Sequence, residues 1–325
     1  MQAVVCRQLE GPSALELAEM PSPDMGAGEV RVRVRAAGVN FPDILMMEGK
    51  YQVKPRLPFI PGLEVAGEVM ECGAGVSHVQ PGDRVMAFAR SGGAYATEVV
   101  LPGGIVTPIP EDMDFVTAAA FPVAYGTAHF ALADRGHLSH GETLAVLGAG
   151  GGVGLAAVEL GKMLGARVIA AARGADKLAV ATAHGADEVI DYESEDLRER
   201  LKALTDGKGV DVLFDPVGGT YCDQSVRAMG WEGRMLIIGF ASGDFSRVPT
   251  NMVLVKNFSV VGVVFGAESE RFPDSTRARW TSLFPHYSSG ALRPRVWKTF
   301  ALADVRKALE AITEREVKGK MVITL

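Results

Sequence analysis

A run of glycines follows an apolar segment near the middle of the chain. Residues 144–147 (LAVL) are all apolar, residues 148–154 read GAGGGVG, and an alanine-rich stretch typical of a helix comes next. The frame Ala149-x-Gly151-x-x-Gly154 has the spacing of a dinucleotide-binding turn, with alanine in place of its first glycine. Missing side chains permit a sharp turn, and they let backbone N–H groups approach a pyrophosphate at the positive end of the helix. The run therefore predicts dinucleotide binding.

The residues after the next apolar segment bear on which dinucleotide fits. Chains that bind NAD usually carry Asp or Glu near this point, where the carboxylate bonds the ribose 2′-OH. Here the segment ends in three alanines, and the nearest carboxylate is Asp176. Arg173 and Lys177 are present instead, and a guanidinium offers the planar pair of donors that suits a 2′-phosphate. The absent acid and the two cations together favour NADP(H).

Strands and helices must alternate around these residues to position them. Apolar runs and helical patterns predict strands at 143–147, 167–171, 188–190, 210–215 and 234–239, with helices at 153–164, 177–184, 197–205 and 221–229. Such alternation is typical of a parallel, doubly wound sheet with right-handed crossovers. The α/β fold class of this central part follows from that pattern.

The two ends of the chain have a different rhythm. Short strands between glycines and prolines are predicted at 29–35, 65–70 and 84–88, and a helix-like stretch at 117–134 should be broken or kinked at Pro122. A β-rich run at 258–264, an amphipathic helix at 303–315 and a strand at 320–325 close the chain. We predict that a nucleotide-binding domain, residues 123–261, is inserted into a mostly-β domain made of residues 1–122 and 262–325.

Composition limits the classes of partner. The chain has 325 residues and a formal charge of −6, which argues against nucleic acid or an anionic membrane as a partner. Cys6, Cys72 and Cys222 are too few and too far apart for a disulfide framework or a zinc-binding pair. The first ten residues lack the apolar core of a signal peptide, and no apolar stretch approaches the length of a membrane span. We expect a cytoplasmic protein.

Several blocks together resemble one known family. They are residues 37–43 (AGVNFPD), 48–51 (EGKY), 58–67 (PFIPGLEVAG), 151–154, 185–192 (GADEVIDY), 215–219 (DPVGG) and 239–243 (GFASG). Across nearly the whole chain they resemble the medium-chain dehydrogenase/reductase superfamily, and most closely its zinc-free NADPH:quinone oxidoreductase branch, which includes zeta-crystallin. The resemblance implies a Rossmann domain inserted into a GroES-like catalytic domain, NADPH as cofactor, and a homodimer formed through the strand near 258–263.

The same resemblance bears on metal content and substrate. Zinc alcohol dehydrogenases similar to this chain carry Cys where Asn40 stands and His where Leu63 stands, and neither residue here can replace a thiolate or an imidazole ligand. Their four-cysteine zinc lobe is also missing. We expect no metal, and hence no simple alcohol dehydrogenase activity. A quinone or another α,β-unsaturated carbonyl can accept hydride at its β-carbon and delocalise charge onto oxygen, so it is the small-molecule substrate expected.

The resemblance also implies site residues. Asn40 is expected near the nicotinamide or the substrate, Asp43 is expected to support that loop, and Tyr51 is the candidate hydrogen-bond donor to the substrate oxygen. A tyrosine often found two residues after the aspartate is Leu45 here, which suggests a more apolar pocket. Met46 and Met47 could line the pocket, although core packing is the simpler interpretation. Thr127 is expected on the nicotinamide side of the cofactor, and Val217, Phe240 and Val263 around the nicotinamide ribose and ring. The other expected contacts are Gly151, Gly152, Val153 and Gly154 at the pyrophosphate, and Arg173, Lys177 and Tyr192 at the adenosine phosphate.

Two other functions remain open from the sequence. One is an enoyl reductase for an acyl-CoA or a lipid-derived enal, for which Lys50, Lys54 and Arg56 could supply cations. The other is an NADPH-binding protein with little turnover, crystallin-like or associated with RNA. The acidic composition and the lack of a basic-aromatic cluster count against RNA binding.

Overall fold

The computed structural model describes residues 1–325. Its strands are β1 (Gln2–Cys6), β2 (Leu15–Glu19), β3 (Glu29–Val39), β4 (Glu64–Cys72), β5 (Arg84–Phe88), β6 (Glu98–Pro102), β7 (Val106–Pro108), β8 (Thr143–Leu147), β9 (Arg167–Ala172), β10 (Glu188–Asp191), β11 (Val210–Asp215), β12 (Met229–Ile237), β13 (Ser259–Gly262), β14 (Val296–Ala301) and β15 (Lys320–Thr324). Its helices are α1 (Phe41–Met47), α2 (Phe115–Ala119), α3 (Pro122–His129), α4 (Gly152–Met163), α5 (Ala175–Ala183), α6 (Leu197–Leu204), α7 (Gly219–Val226), α8 (Thr250–Lys256), α9 (Phe265–Arg271), α10 (Pro273–Ser288) and α11 (Val305–Thr313). No helix combines the length and the apolar composition that crossing a membrane requires.

The chain divides into two compact units. The β-rich unit consists of Met1–Val123, Gly266–Ser288 and Pro294–Leu325, and the α/β unit consists of Ala124–Phe265 and Ser289–Arg293. Residues 262–265 and 289–293 therefore belong to the α/β unit, whereas the sequence assigned them to the mostly-β domain. Hydrogen bonds explain the difference: the Val263 N–H donates to the Ile237 carbonyl at 3.1 Å, and the Arg293 N–H donates to the Glu159 carboxylate at 3.0 Å.

A six-stranded parallel sheet forms the centre of the α/β unit. Its strand order is β10-β9-β8-β11-β12-β13, so the chain winds outward in both directions from β8, whose residues 144–147 are fully buried. The strand order reverses between β8 and β11, and in doubly wound folds the crevice at the carboxyl ends of such strands is where ligands bind. Helices predicted from the sequence here are all present, with α4 beginning at Gly152 and α7 at Gly219.

The β-rich unit is built on a mainly antiparallel sheet. The order is β14-β15-β3-β4-β5-β7, β6 also pairs with β3, and only β14 and β15 are parallel to each other. In the long strand β3, the valines face the core while the alternating arginines pair with acids of neighbouring strands: Arg31 with Glu71 and Glu98, and Arg33 and Arg35 with Glu68. This arginine face is thus a salt-bridged surface.

One local expectation holds and one needs refinement. The helical stretch is broken at Pro122 as expected: α2 ends at Ala119, and Pro122 is the first residue of α3, a position that requires no N–H donor. Of the β-rich run 258–264, only Ser259–Gly262 pairs as a strand, because Phe265 already begins α9.

Candidate functional site

The glycine-rich turn after β8 brings the start of α4 close to the sheet. Gly148 has a φ of +60°, in the region that favours glycine, and its carbonyl accepts the Gly151 N–H at 3.0 Å. A Cβ added to Gly154 would lie 2.3 Å from the Gly148 oxygen and 2.8 Å from the Ala149 Cα. Those are backbone atoms, so only glycine permits this approach of the helix to the turn.

The same turn can accept an anion. Gly151, Gly152 and Val153 are partly exposed, and no side chain caps the first turn of α4. The first N–H groups of a helix have no intrahelical partner, and the helix dipole adds positive potential at this end. A Cβ on Gly151 would meet only the Gly148 oxygen, at 3.5 Å, so Gly151 is not required for packing. These residues fit the pyrophosphate of a dinucleotide.

Two cations and two tyrosines lie near the carboxyl end of β9. Lys177 runs along the turn, because a Cβ on Gly150 would lie 2.6 Å from the Lys177 Cβ. The pKa of Arg173 is raised by a hydrogen bond to Tyr221 and by Glu193, whose Oε1 lies 3.5 Å from the Arg173 Nε. The ring centroids of Tyr192 and Tyr221 are 4.1 Å apart. This cluster fits an adenosine with a 2′-phosphate. The phosphate would replace the exposed Glu193 carboxylate as the partner of Arg173.

A carboxylate also approaches this end of the sheet, from the neighbouring strand. The Asp191 Oδ1 accepts hydrogen bonds from the Gly174 N–H at 3.2 Å and from the Glu193 N–H at 3.1 Å. Because its oxygen serves two backbone donors, Asp191 shapes the turn and is not free to bond a ribose hydroxyl through that atom.

The remaining predicted cofactor residues have different surroundings. The Val217 Cγ2 lies 2.9 Å from where a Gly148 Cβ would be, so the loop after β11 meets the glycine-rich turn; the buried Asp215 shapes that loop by accepting the Val217 and Gly218 N–H groups. Thr127 is partly exposed on α3, and Phe240 packs edge-to-face with Phe245. Val263 is only 6% exposed, which leaves little of its side chain for a ligand.

A connected group of buried polar side chains occupies the β-rich unit. The Asn40 Nδ2 donates to the Glu64 Oε1 at 2.9 Å, and the Lys320 Nζ donates to the Asn40 Oδ1 at 2.6 Å. Lys320 also donates to Glu64 and to the Val39 carbonyl, while the Val123 N–H donates to the Glu64 Oε2 at 2.8 Å. We call Asn40, Asp43, Glu64, Tyr95 and Lys320 the buried polar cluster. Since both amide atoms of Asn40 are engaged, this residue positions its surroundings rather than presenting a free amide.

Asp43 anchors the start of α1 within the buried polar cluster. Its Oδ2 accepts the Asn40 backbone N–H at 2.8 Å and the Tyr95 hydroxyl at 2.9 Å, and its Oδ1 is buried without a partner. Burial raises the pKa of Asp43 to about 7, although these two hydrogen bonds and the charge of Lys320 act in the opposite direction. Asp43 thus fixes the first turn of α1.

Tyr51 lies just beyond the other end of α1. Its backbone N–H donates to the Leu45 carbonyl at 3.1 Å, and its side chain is partly exposed. Burial raises the pKa of the Tyr51 hydroxyl, against the opposing charge of Arg90. The hydroxyl therefore keeps its proton and can donate a hydrogen bond. Met46 and Met47 are at most 1% exposed, which places both in the core and not on a pocket wall.

Comparison with known proteins identifies the class. Residues 26–111 match the description "Alcohol dehydrogenase GroES-like domain", and residues 152–279 match "Zinc-binding dehydrogenase". The chain is similar to a quinone oxidoreductase-like protein 2 homolog of Nematostella vectensis, with 39% identity over 99% of this chain and 88% of that protein. It is also similar to the structure of Escherichia coli quinone oxidoreductase complexed with NADPH (TM-score 0.93, 29% identity, full coverage of both chains) and to that of an NAD-dependent alcohol dehydrogenase (TM-score 0.89, 30% identity, full coverage of both).

These findings define the protein as a member of the medium-chain dehydrogenase/reductase superfamily, with a Rossmann-type unit and a GroES-like unit. Within that superfamily of oxidoreductases the chain belongs to the quinone oxidoreductase branch, as the sequence blocks indicated.

By comparison with zinc alcohol dehydrogenases, a catalytic zinc would need ligand atoms at positions 40 and 63. Leu63 is 1% exposed and has no ligand atom, and both amide atoms of Asn40 are hydrogen-bonded, to Glu64 and Lys320. No group of three or more His, Cys, Asp or Glu side chains is placed to hold a metal ion. The residues present do not fit a catalytic zinc site.

Sequence reasoning missed three members of the buried polar cluster. Glu64 lies within the block 58–67 that carried the resemblance, and a charged residue opening an apolar strand was the available signal. Lys320 opens β15 in the same way. Tyr95 stands in a loop of small residues and gave no local signal.

Proposed function

We propose that the protein transfers hydride from NADPH to a quinone or another α,β-unsaturated carbonyl, without zinc. One observation carries the cofactor part of this proposal: the turn at Gly148–Gly154 leaves the start of α4 open to a pyrophosphate, while Arg173 and Lys177 stand at the end of β9 beside it. The NADPH-bound relative from Escherichia coli has the same fold over the whole chain, which supports the choice of cofactor.

NADPH, when bound, supplies the hydride that the β-carbon of a conjugated carbonyl accepts. The electron pair of the double bond then moves toward the carbonyl oxygen, where negative charge develops. Tyr51 is the proposed donor to that oxygen, because the family resemblance assigns it there and its side chain is partly exposed. Burial raises the pKa of its hydroxyl, so the hydroxyl keeps the proton that it donates. Water completes the protonation of the product.

The buried polar cluster has a positioning role in this proposal. Asn40 and Asp43 fix the first turn of α1, and the last turn of α1 accepts the Tyr51 N–H through Leu45. The cluster therefore sets the position of the proposed donor. A preorganised donor contributes more to stabilising a developing oxyanion than one that must reorient.

Cofactor and substrate can be tested in one assay series. We expect NADPH to bind more tightly than NADH, and quinones to accelerate NADPH oxidation equally with and without a chelator. Arg173→Ala should weaken NADPH binding about tenfold or more and leave NADH unchanged, because a charge-assisted contact to the 2′-phosphate is lost. Arg198→Ala is a matched control, since both arginine side chains are 40% exposed in the same unit. NADH preference in the unaltered protein would contradict the cofactor assignment, and inhibition by the chelator would contradict the zinc-free mechanism.

Enoyl-CoA reduction is tested in the same series. Of the three cations considered for CoA, Lys50 is already paired with Glu48 at 2.9 Å. We therefore expect simple quinones and enones to be reduced faster than crotonyl-CoA. The reverse order would make the enoyl reductase the better assignment.

We also propose a homodimer formed through β13. This strand ends the parallel sheet, and beside its unpaired edge Val260 and Val264 are 44% and 54% exposed. An open, apolar strand edge is a template for pairing with a second copy. Sedimentation should give a dimer, and Val260→Lys should shift it toward the monomer. A monomer in the unaltered protein would refute the assembly.

A further inference from the structure

A buried carboxylate in the middle of α4 has no part in the function proposed so far. Glu159 is 3% exposed, and it lies seven residues, about 10 Å along the helix axis, beyond Gly152. An acid in the apolar interior is retained only when strong donors surround it. Its partners therefore indicate what it does.

Donors from three directions converge on Glu159. The Tyr125 hydroxyl, on α3, donates to Oε2 at 2.6 Å, and the His184 Nδ1, at the end of α5, lies 2.6 Å from Oε1. The Arg293 N–H, in the segment Ser289–Arg293, reaches both oxygens at 3.2 and 3.0 Å. Burial, followed by the charge of Glu159, raises the pKa of Tyr125 well above its usual value, so the phenol remains a donor.

Two of the three partners, Tyr125 and His184, belong to elements that carry proposed cofactor contacts. Helix α5 contacts the glycine-rich turn through Lys177, beside Gly150, near its start, and it contacts α4 through His184, on Glu159, at its end. On α3, Tyr125 and Thr127 are two residues apart and therefore project from nearly opposite sides of the helix. The Tyr125 bond consequently fixes the helix that presents Thr127 relative to the helix that begins at the pyrophosphate turn.

We propose that Glu159 is a positioning residue for the nicotinamide half of the dinucleotide, acting through Tyr125 and α3. It touches neither cofactor nor substrate, and this inference rests on the proposed use of NADPH. Loss of the Glu159–Tyr125 bond should displace Thr127 relative to Gly151–Gly154. The adenosine half is assigned to Arg173, Lys177 and Tyr192, which lie outside α3, and should be less affected by loss of the Tyr125 bond.

The test compares two ligands in the full-length protein. NADPH spans both halves of the site, whereas 2′,5′-ADP occupies only the adenosine half. Tyr125→Phe, which leaves the Glu159–His184 contact in place, should weaken NADPH binding about fivefold, a size typical of positioning effects transmitted through neighbours, and change 2′,5′-ADP binding by less than about twofold. Thr127→Ala should reproduce this selective loss.

A matched control separates positioning from general destabilisation. Glu142 is a partly buried carboxylate of the same α/β unit; it accepts a hydrogen bond from Arg234 at 2.6 Å, at the end of β8 opposite the glycine-rich turn. Glu142→Gln should lower the unfolding midpoint and leave the affinities for both ligands unchanged.

Each outcome decides between the two proposals. If the unaltered protein binds NADPH but Tyr125→Phe, checked to be folded by its unfolding midpoint, changes neither affinity or changes both equally, the positioning role is refuted and the proposed function stands. If the unaltered, folded protein does not bind NADPH, the proposed function is refuted and this inference with it.

Discussion

The glycine-rich turn of the α/β unit and the buried polar cluster of the β-rich unit differ in whether their polar groups are open to a ligand or bonded to one another. In the turn, Gly151, Gly152 and Val153 are partly exposed, and the N–H groups of the helix start have no side-chain cap. In the cluster, Asn40, Glu64 and Lys320 are at most 6% exposed and satisfy one another. The turn can bind a ligand because of what it leaves open, whereas the cluster acts through what it holds in place.

This difference separates the expected effects of substitution. Changes in the buried polar cluster should first lower the free energy of unfolding, because a buried charge loses its partner. Changes at the turn that preserve packing should first lower ligand affinity. The following predictions are arranged from the largest expected effect to the smallest.

Lys320→Met should have the largest effect on stability. It leaves the Glu64 carboxylate, which has no exposure at all, without its cation, and breaking a buried ion pair costs about 3–5 kcal/mol. Denaturant unfolding measures the loss, and Glu64→Gln in the same chain should recover part of it. Lys307→Met, which removes an exposed partner of Asp304, serves as the control with no measurable change. A loss below about 1 kcal/mol for Lys320→Met would show that the Lys320–Glu64 pair does not stabilise the buried polar cluster.

Gly154 and Gly151 should behave differently within one motif. Gly154→Ala places a methyl group 2.3 Å from a backbone oxygen. We therefore expect the unfolding free energy to fall by about 3 kcal/mol and NADPH binding to be lost as well. In Gly151→Ala the new methyl group makes only an ordinary van der Waals contact. This variant should lower the unfolding free energy by less than about 1 kcal/mol, yet still weaken NADPH binding. Calorimetry of the free protein and ligand titration measure the two quantities. Equal destabilisation by both variants would remove the distinction between packing and binding glycines.

The pH dependence of the unfolding free energy should reveal the raised pKa of Asp43 in the folded protein. Its folded pKa of about 7 is above its unfolded value, so its contribution is complete below about pH 4 and is lost as the pH rises through 7. Asp43→Asn keeps an acceptor for Asn40 and Tyr95 but cannot ionise. The stability of the unaltered protein relative to Asp43→Asn should therefore fall by about 1–3 kcal/mol between pH 5 and pH 8.

Asp187→Asn is the control of opposite sign for this pH series. Burial opposes ionisation of Asp187, but hydrogen bonds from Lys162 and the Val168 N–H leave its pKa lowered. Its contribution is therefore lost only in acid, and the difference from Asp187→Asn should be flat between pH 5 and pH 8. A flat profile for Asp43→Asn as well would mean that Asp43 ionises normally despite its burial.

Tyr51→Phe should have the smallest effect, confined to turnover. Removing the proposed donor should lower kcat/KM for a quinone about tenfold, while the NADPH dissociation constant and the unfolding midpoint stay unchanged. Tyr287→Phe is the control, since that hydroxyl donates to the Asp112 carbonyl. A change below about twofold for Tyr51→Phe would leave Tyr51 as a packing residue.

Local patterns predicted much of the architecture. Strands at 143–147, 210–215 and 84–88 have the predicted bounds, because each is an apolar run closed by turn residues. The glycine-rich turn was recognisable because its requirement is local: residues within seven positions of one another must lack side chains to approach. The sequence could therefore predict the dinucleotide turn and the parallel sheet that carries it.

The buried polar cluster was out of reach of such reasoning. Asn40 and Asp43 were singled out through a resemblance, but nothing local indicated that the Asn40 amide is occupied by a lysine 280 residues away. The same holds for the boundary at Ser289–Arg293, which depends on a carboxylate 134 residues earlier in the chain. Both outcomes depend on which strand and helix lie side by side.

The sequence by itself determined the α/β alternation and the glycine-rich turn, because backbone approach and strand burial are encoded by adjacent residues. Only the tertiary structure decided that Lys320 and Glu64 enclose Asn40, and that Glu159 joins α3, α4 and α5. The physical reason is that a buried charge takes its partner from whatever element packs against it. The register between β3, β4 and β15 brings those residues together, and no run of neighbouring residues encodes it.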